Sequence, residues 1–585
     1  MIRCLAALLL FLNSCGERNP PVPARVGEYV SVHGTSTNAD AVAAAKRGQF
    51  SVGKKETGLT VPVDWCMDPH GDRSWRFFLH SWTFLEPVVH AAVGGDPEAV
   101  RLCNDFALDW IEQNQRGASG ISEFAWYDMA VGARAPTLGC LARLSRSSSG
   151  DARTAQVLLQ SAREHGDWLA DDQNYKAAHN HGLFQDGGLA LLAMQLPSEP
   201  RARAWFAHAQ RRFVDNVAAT VSRVDAVHLE HSSAYHFTVT SLVDRIRRGA
   251  RFRDAGLLDL VARMRANAPW FVHPDGKFLQ LGDTDLTQAP AWVAEQPRPE
   301  GLWFARDAGV AAVAAEGERL VAHAWYHGSG HKHSDELSFV WFARGARLLV
   351  DAGRYGYYYD EPGRRYAESA RAHNVLTRAS RDFSFRGQAP YGSGLTSAGS
   401  GHGWHVVIGE NPLLRSQEVE HRRLWLYRPG EVLFVVDLLK DRAVTASPFI
   451  RRFHFGPAIS VAEDADGSWR LSAGGNILAR MHDLSGAGVS VRAVRGQRSP
   501  ELMGVTFPGN RSWQEIWTTE LVSAPGITQL VTAFTLGAGA VAPVVRLTER
   551  QPGVFVAEFG SGVDAPDLLL GPADVDGDLQ VSALR

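Results

Sequence analysis

Near residue 320 of this 585-residue chain, the spacing of apolar residues changes from a helical period to a two-residue period. One repeating architecture cannot satisfy both periods, so the chain must fold as at least two differently built parts. Before the change, bulky apolar side chains recur at helical spacing over 74–92, 98–113, 152–170 and 202–221. Short Gly, Asp and Pro breaks separate these runs, and the Ser/Arg/Gly run 145–150 reads as an interhelical loop. Many helices with no strands between them predict an α-toroid or bundle over 25–305, rather than a βα barrel. After the change, 336–350 reads as two strands around Arg344-Gly345, and 423–439 repeats the pattern around Pro429-Gly430. Residues 449–455 alternate, and 527–536 are β-rich. Punctuated strands of this kind predict a large antiparallel β-sandwich over 318–585, with a linker near 288–318 where Pro, Ala, Gly and charges cluster.

Composition narrows the functional classes. Hydrophobic residues make up 45% and charged residues 21%, as in an ordinary globular chain. With 60 Lys plus Arg against 63 Asp plus Glu, the net charge of -3 argues against a nucleic-acid coat, though a local basic cleft still suits a polyanion. The first 20 residues read as an address. Arg3 precedes an apolar stretch at 5–12, too short to span a bilayer, and Leu12-Asn13-Ser14-Cys15-Gly16 resembles a bacterial lipobox. The expectation is an exported protein, periplasmic or held at the outer membrane by lipid on Cys15, with plain secretion as the alternative. Cys66, Cys103 and Cys140 imply neither a disulfide framework nor a cysteine metal site.

Several clusters could carry chemistry. His331 and His333 flank Lys332, and on an extended segment residues i and i+2 point the same way. With Asp351 and His373 this segment offers a set of two His and one Asp that suits zinc and leaves one position open. The alternative is a hydrogen-bonded polar strand edge. Asn180 and His181 lie in His-Asn-His-Gly and could hold a carboxylate, or Asn180 could simply cap a helix. Tyr235, in Glu230-His231-Ser232-Ser233-Ala234-Tyr235-His236, could move protons or sit as a buried hydrogen-bonding phenol. Asp283 and Asp285 could be the carboxylate pair of a glycosidase, or turn residues. Arg245, Arg247, Arg248, Arg251 and Arg253 could attract a polyanion or form a solvated helix face. Tyr355, Tyr357, Tyr358 and Tyr359 could line a subsite or pack a strand.

Taken in order, His179-Asn180-His181-Gly182, the Glu230–His236 segment, His331-Lys332-His333-Ser334-Asp335, Val350-Asp351-Ala352-Gly353 and Arg371-Ala372-His373-Asn374 resemble the heparinase II/III-type polysaccharide lyases. The resemblance runs from roughly residue 60 to 540 and includes related alginate lyases. It implies an incomplete (α/α) toroid followed by an antiparallel β-sandwich, and cleavage of a uronate-containing polymer by β-elimination. A heparan-sulfate-like glycosaminoglycan is the default substrate, with alginate or a bacterial exopolysaccharide as alternatives. Asn180 and His181 would neutralise the uronate carboxylate, Tyr235 would transfer protons, and His331 would be its partner. His333, Asp351 and His373 would hold one structural zinc per chain, and no organic cofactor is implied. Many members have Gly where this chain has Lys332, so that Lys is expected to add a cation to the cleft or alter a subsite. The rival expectations are a hydrolase using Asp283, Asp285 or Glu230, and a non-catalytic glycan-binding protein.

Overall fold

A computed structural model describes residues 28–34, 38–147, 152–486, 488–537, 543–560 and 562–584. The leader and Cys15 lie outside them. The chain forms two compact units, Met1–Thr220 with Val239–Val261, and Val221–Thr238 with Ala262–Arg585.

In the first unit the helical periods become helices Pro97–Gln113, Asp128–Ser147, Ala152–Ala170, Asn180–Gln195 and Ala202–Thr220. Asp96 caps the first of these by accepting from the Glu98 and Ala99 amides, and Pro97 takes the position where no N–H is needed. The 74–92 run is two helices rather than one. Arg73–Ser81 ends at Trp82, which is left-handed at φ 59°, and Glu86–Val93 starts afresh with Pro87 in its first turn. The expected loop at 145–150 begins late, because the helix runs on to Ser147. A hairpin, Gln49–Val52 with Lys55–Gly58, interrupts the helices around a Gly53-Lys54 turn with both φ positive.

Helix Asn180–Gln195 is buried almost all round. It meets helix Asp128–Ser147 backbone to backbone, since a Cβ on Gly188 would lie 2.1 Å from the Gly132 carbonyl oxygen. That approach sets the first turns of the two helices side by side.

The second unit is built on antiparallel sheets. Gly301–Ala305, Val310–Ala315, Glu318–His323, Ser338–Ala343 and Ala346–Leu349 form a five-stranded meander. The first two of these strands lie within the stretch expected to be a linker. An eight-stranded sheet includes the hairpin Val419–Arg428 with Val432–Asp441. Its Trp425, Tyr427, Leu433 and Val435 pack with Phe339 and Trp341 of the meander. Its intervening Leu424, Leu426, Val432, Phe434 and Val436 pack with Phe555, Leu568 and Leu570 of a C-terminal four-stranded sheet. The eight-stranded sheet is thus covered on both faces, so the expected antiparallel stacking of sheets carries a further C-terminal layer. Asn374 ties the site-bearing loops to this frame. Its amide donates to the Phe339 and Val350 carbonyls at 2.7 and 2.9 Å and accepts from the His454 amide at 2.7 Å.

Candidate functional site

Tyr235 lies in the first turn of helix Ser233–Gly249, within the part of that helix that belongs to the sheet-bearing unit. His331 stacks on it, with ring centroids 3.5 Å apart and planes 22° from parallel. His331 Nδ1 is 2.8 Å from a Glu230 carboxylate oxygen. The Tyr235 hydroxyl is 2.9 Å from that of Tyr357. Burial pushes the Tyr235 phenol up to about 12, against the lowering effect of the Tyr357 bond. Burial, with the neighbouring Tyr235, also pushes Tyr357 well above its ordinary value.

The loop that presents His331 is pinned at two points. The His231 ring donates from Nδ1 to the Gly330 carbonyl at 3.0 Å and accepts the His327 amide at Nε2 at 2.8 Å. Burial and the charge of Lys332 hold His231 well below its ordinary value, which keeps that ring neutral.

His331 and His333 do not point the same way. His331 is left-handed at φ 55°, so the segment is not extended and the i, i+2 rule does not apply. His333 turns instead to Asp351 and His373, whose candidate ligand atoms all lie within 4.8 Å of one another. All three residues are buried, and His373 Nδ1 lies 2.6 Å from an Asp351 carboxylate oxygen. His333 Nδ1 and His373 Nε2 are buried with no hydrogen-bond partner. Two orphaned imidazole nitrogens beside a carboxylate form a donor set that fits a zinc-type cation.

The helical unit carries Asn180 and His181. His179, not Asn180, caps helix Asn180–Gln195, its ring accepting the His181 amide at 3.2 Å. The Asn180 amide is thereby spared, and its buried Oδ1 has no hydrogen-bond partner. His181 Nδ1 is 3.1 Å from Asp128. Burial alone would raise the Asp128 carboxyl, but the bond and charge of His181 outweigh it and hold it low. Beneath them, Asn216 donates to the His179 carbonyl at 3.1 Å and to the Tyr175 hydroxyl at 3.0 Å, and that hydroxyl donates to Asp186 at 2.8 Å.

Other expectations change. Lys332 adds no cation to a substrate cleft: it is buried, bonded to Asp335 and 2.8 Å from a Glu336 carboxylate oxygen. Burial alone would lower Lys332, but those two charges outweigh it and keep the ammonium charged. Asp283 is buried between Arg364 and His333, and Asp285 accepts two bonds from Arg354 at 2.8 and 2.6 Å. Neither carboxylate has the freedom a hydrolytic acid or base needs. The Arg run is used inside the helical unit, Arg245 on the Val32 carbonyl, Arg247 and Arg248 on Asp244, and Arg251 on Glu28. Cys103 and Cys140 are buried free thiols and Cys66 is exposed. Tyr357 and the Glu230–His331 contact were not assigned from sequence. Their signals were Tyr357 within a tyrosine run and Glu230 within the Tyr235 motif.

A helical unit followed by antiparallel sheets is also the architecture of solved heparan-sulfate-degrading enzymes. The crystal structure of heparan sulfate lyase HepC from Pedobacter heparinus is similar, with a TM-score of 0.66 at 16% identity, covering 96% of this chain and 92% of that one. Heparinase III is similar with a TM-score of 0.72 at 13% identity, covering 96% and 94%. No curated protein matches in sequence. Residues 35–256 match the heparinase II/III N-terminus and residues 297–502 the heparinase II/III-like C-terminal family. The chain belongs to the heparinase II/III family of polysaccharide lyases.

Proposed function

We propose that the protein cleaves a uronic-acid-containing polysaccharide by β-elimination, with a heparan-sulfate-like glycosaminoglycan as the favoured substrate. The observation that carries this reading is the Tyr235–His331 stack, two proton-transfer groups side by side with a carboxylate behind one and a hydroxyl on the other. The pair supplies both proton transfers that elimination requires. His331 takes the C5 proton, the C4–O bond breaks as the C4–C5 double bond forms, and the leaving oxygen receives a proton from Tyr235. Because burial pushes Tyr235 up to about 12, the phenol is protonated at neutral pH and suited to the acid role. Asn180 and His181 neutralise the uronate carboxylate, which makes the C5 proton removable by stabilising the enolate-like charge. Each proton-transfer group typically contributes about 10²–10⁴-fold.

His333, Asp351 and His373 would hold one zinc ion, which when bound braces the loops that carry them. The leader and Cys15 support export and lipid anchoring in the periplasm or at the outer membrane.

The test is a panel of heparan sulfate, heparin, hyaluronan, chondroitin, alginate and uronate-rich exopolysaccharides, followed by the ultraviolet absorbance of the unsaturated uronate product. A rise with one polymer, absent in Tyr235→Phe, supports elimination and names the substrate. New reducing ends without absorbance would replace it with hydrolysis. Binding without shortening of any polymer would make the protein a glycan-binding one.

A further inference from the structure

The Gly282-Asp283-Thr284-Asp285 motif is prominent in the sequence, yet elimination at Tyr235 and His331 gives Asp283 no task. Its side chain cannot reach a polymer, being only 2% exposed. One carboxylate oxygen accepts from His333 Nε2 at 2.9 Å. Arg364 grips both oxygens, with Nη2 at 3.2 Å from Oδ2. His333 thus commits Nε2 to Asp283, and the nitrogen left over is Nδ1, the one that is buried without a partner. A carboxylate behind a ligating imidazole fixes its tautomer, aims its free nitrogen and raises its basicity as a ligand.

The same turn reaches the proton-transfer pair. The Asp283 carbonyl accepts from Ser232 at 3.0 Å, and the Thr284 hydroxyl accepts the Ala234 amide at 3.2 Å, one residue before Tyr235. Gly282 allows this crowding, for at φ +52° a Cβ would stand 2.1 Å from the His231 carbonyl oxygen and 2.9 Å from that of His331. Arg364 also faces the Tyr357 ring, its guanidinium carbon 5.5 Å from the centroid.

We propose that Asp283 is the outer carboxylate of the His333–Asp351–His373 centre, holding His333 so that Nδ1 meets a zinc-type cation. The proposal rests on the triad being a metal centre. A three-residue turn then joins that centre to Tyr235 and His331.

The experiment measures zinc(II) affinity by competition with a chromophoric chelator, for the full chain and for Asp283→Asn, with circular dichroism to confirm folding. The variant is expected to bind zinc about 10- to 100-fold more weakly. Wild-type binding with the variant within about threefold of it overturns the proposal while leaving the metal centre standing. No zinc binding by the wild type removes both. If the variant does not fold, a zinc-loaded crystal of the unsubstituted protein decides. Zinc on His333 Nδ1 supports the role of Asp283, and zinc on Nε2 refutes it.

Discussion

Replacing Glu230 by Gln asks whether its carboxylate sets the catalytic state of the His331 ring. The two side chains are 11% and 13% exposed, and Nδ1 stands 2.8 Å from Oε2, so water screens the contact little. His331 also sits at a left-handed φ of 55°, a conformation its surroundings must hold in place. A close pair of opposite charges in a desolvated site couples by about 1.5–7 kcal/mol, and about 1.4 kcal/mol is a factor of ten, so losing even the low end of this coupling should slow the reaction about tenfold or more. Gln can also present its NH₂ to Nδ1, which favours the wrong tautomer for a base, as an amide does beside the histidine of a serine protease. The loss should fall on kcat, because in the proposed elimination the contact serves proton transfer rather than polymer binding, and KM should stay within about threefold. Glu230→Asp keeps the charge at a greater distance and should lie between. Initial rates of ultraviolet absorbance, measured over a range of polymer concentration, give both constants. Unchanged kcat in Glu230→Gln, or a raised KM with kcat intact, would refute the argument and place Glu230 in binding.

Tyr235 makes a prediction about pH. Burial pushes its phenol up to about 12, and an acid works only below its pKa, so kcat should stay level as pH rises through about 10, the ordinary tyrosine value. An alkaline fall centred near 10 would show that the phenol is not the group so described. Lys332→Met strips the cation from two buried carboxylates, which should cost the sheet-bearing unit about 3–5 kcal/mol in urea unfolding. Near wild-type stability with a raised KM would return Lys332 to the substrate. Cys15→Ser should move the protein from the membrane fraction to the soluble one, and an unchanged distribution would remove the lipid anchor.

The halves of the fold were legible because their periods differ, and the departures have local causes. The 74–92 run keeps its helical spacing across Trp82, but periodicity is blind to one left-handed residue, and Pro87 was the available sign of a break. The third layer of the sheet-bearing unit shows in the sequence as a lack of alternation. Residues 424–427 (Leu-Trp-Leu-Tyr) and 432–436 (Val-Leu-Phe-Val-Val) are apolar at every position, the pattern of a strand covered on both faces. A sheet with one face open to water would have left every second position polar. The 288–318 stretch read as a linker because Pro and Gly are punctuation. Between those marks, Val310–Ala315 is too small and apolar to remain uncovered.

In the candidate site, residue types were legible and directions were not. His331 and His333 were both singled out, but the left-handed backbone at His331 sends them to different tasks, one beside Tyr235 and one into the buried triad. Asn180 was expected at the carboxylate with a helix cap as the alternative, and His179 takes the capping role with its ring, which leaves the amide of Asn180 available. Asp283 and Lys332 show the converse error. Charged residues beside catalytic-looking ones invite a role toward substrate, and only burial and partners reveal that each neutralises an interior charge. A charge drawn into the interior has to be matched there. The residues that match it form a skeleton behind the reacting groups, and that skeleton spans long sequence separations that no local motif records. Arg364 lies 81 positions from the Asp283 it grips, and Glu230 about a hundred from the His331 it faces.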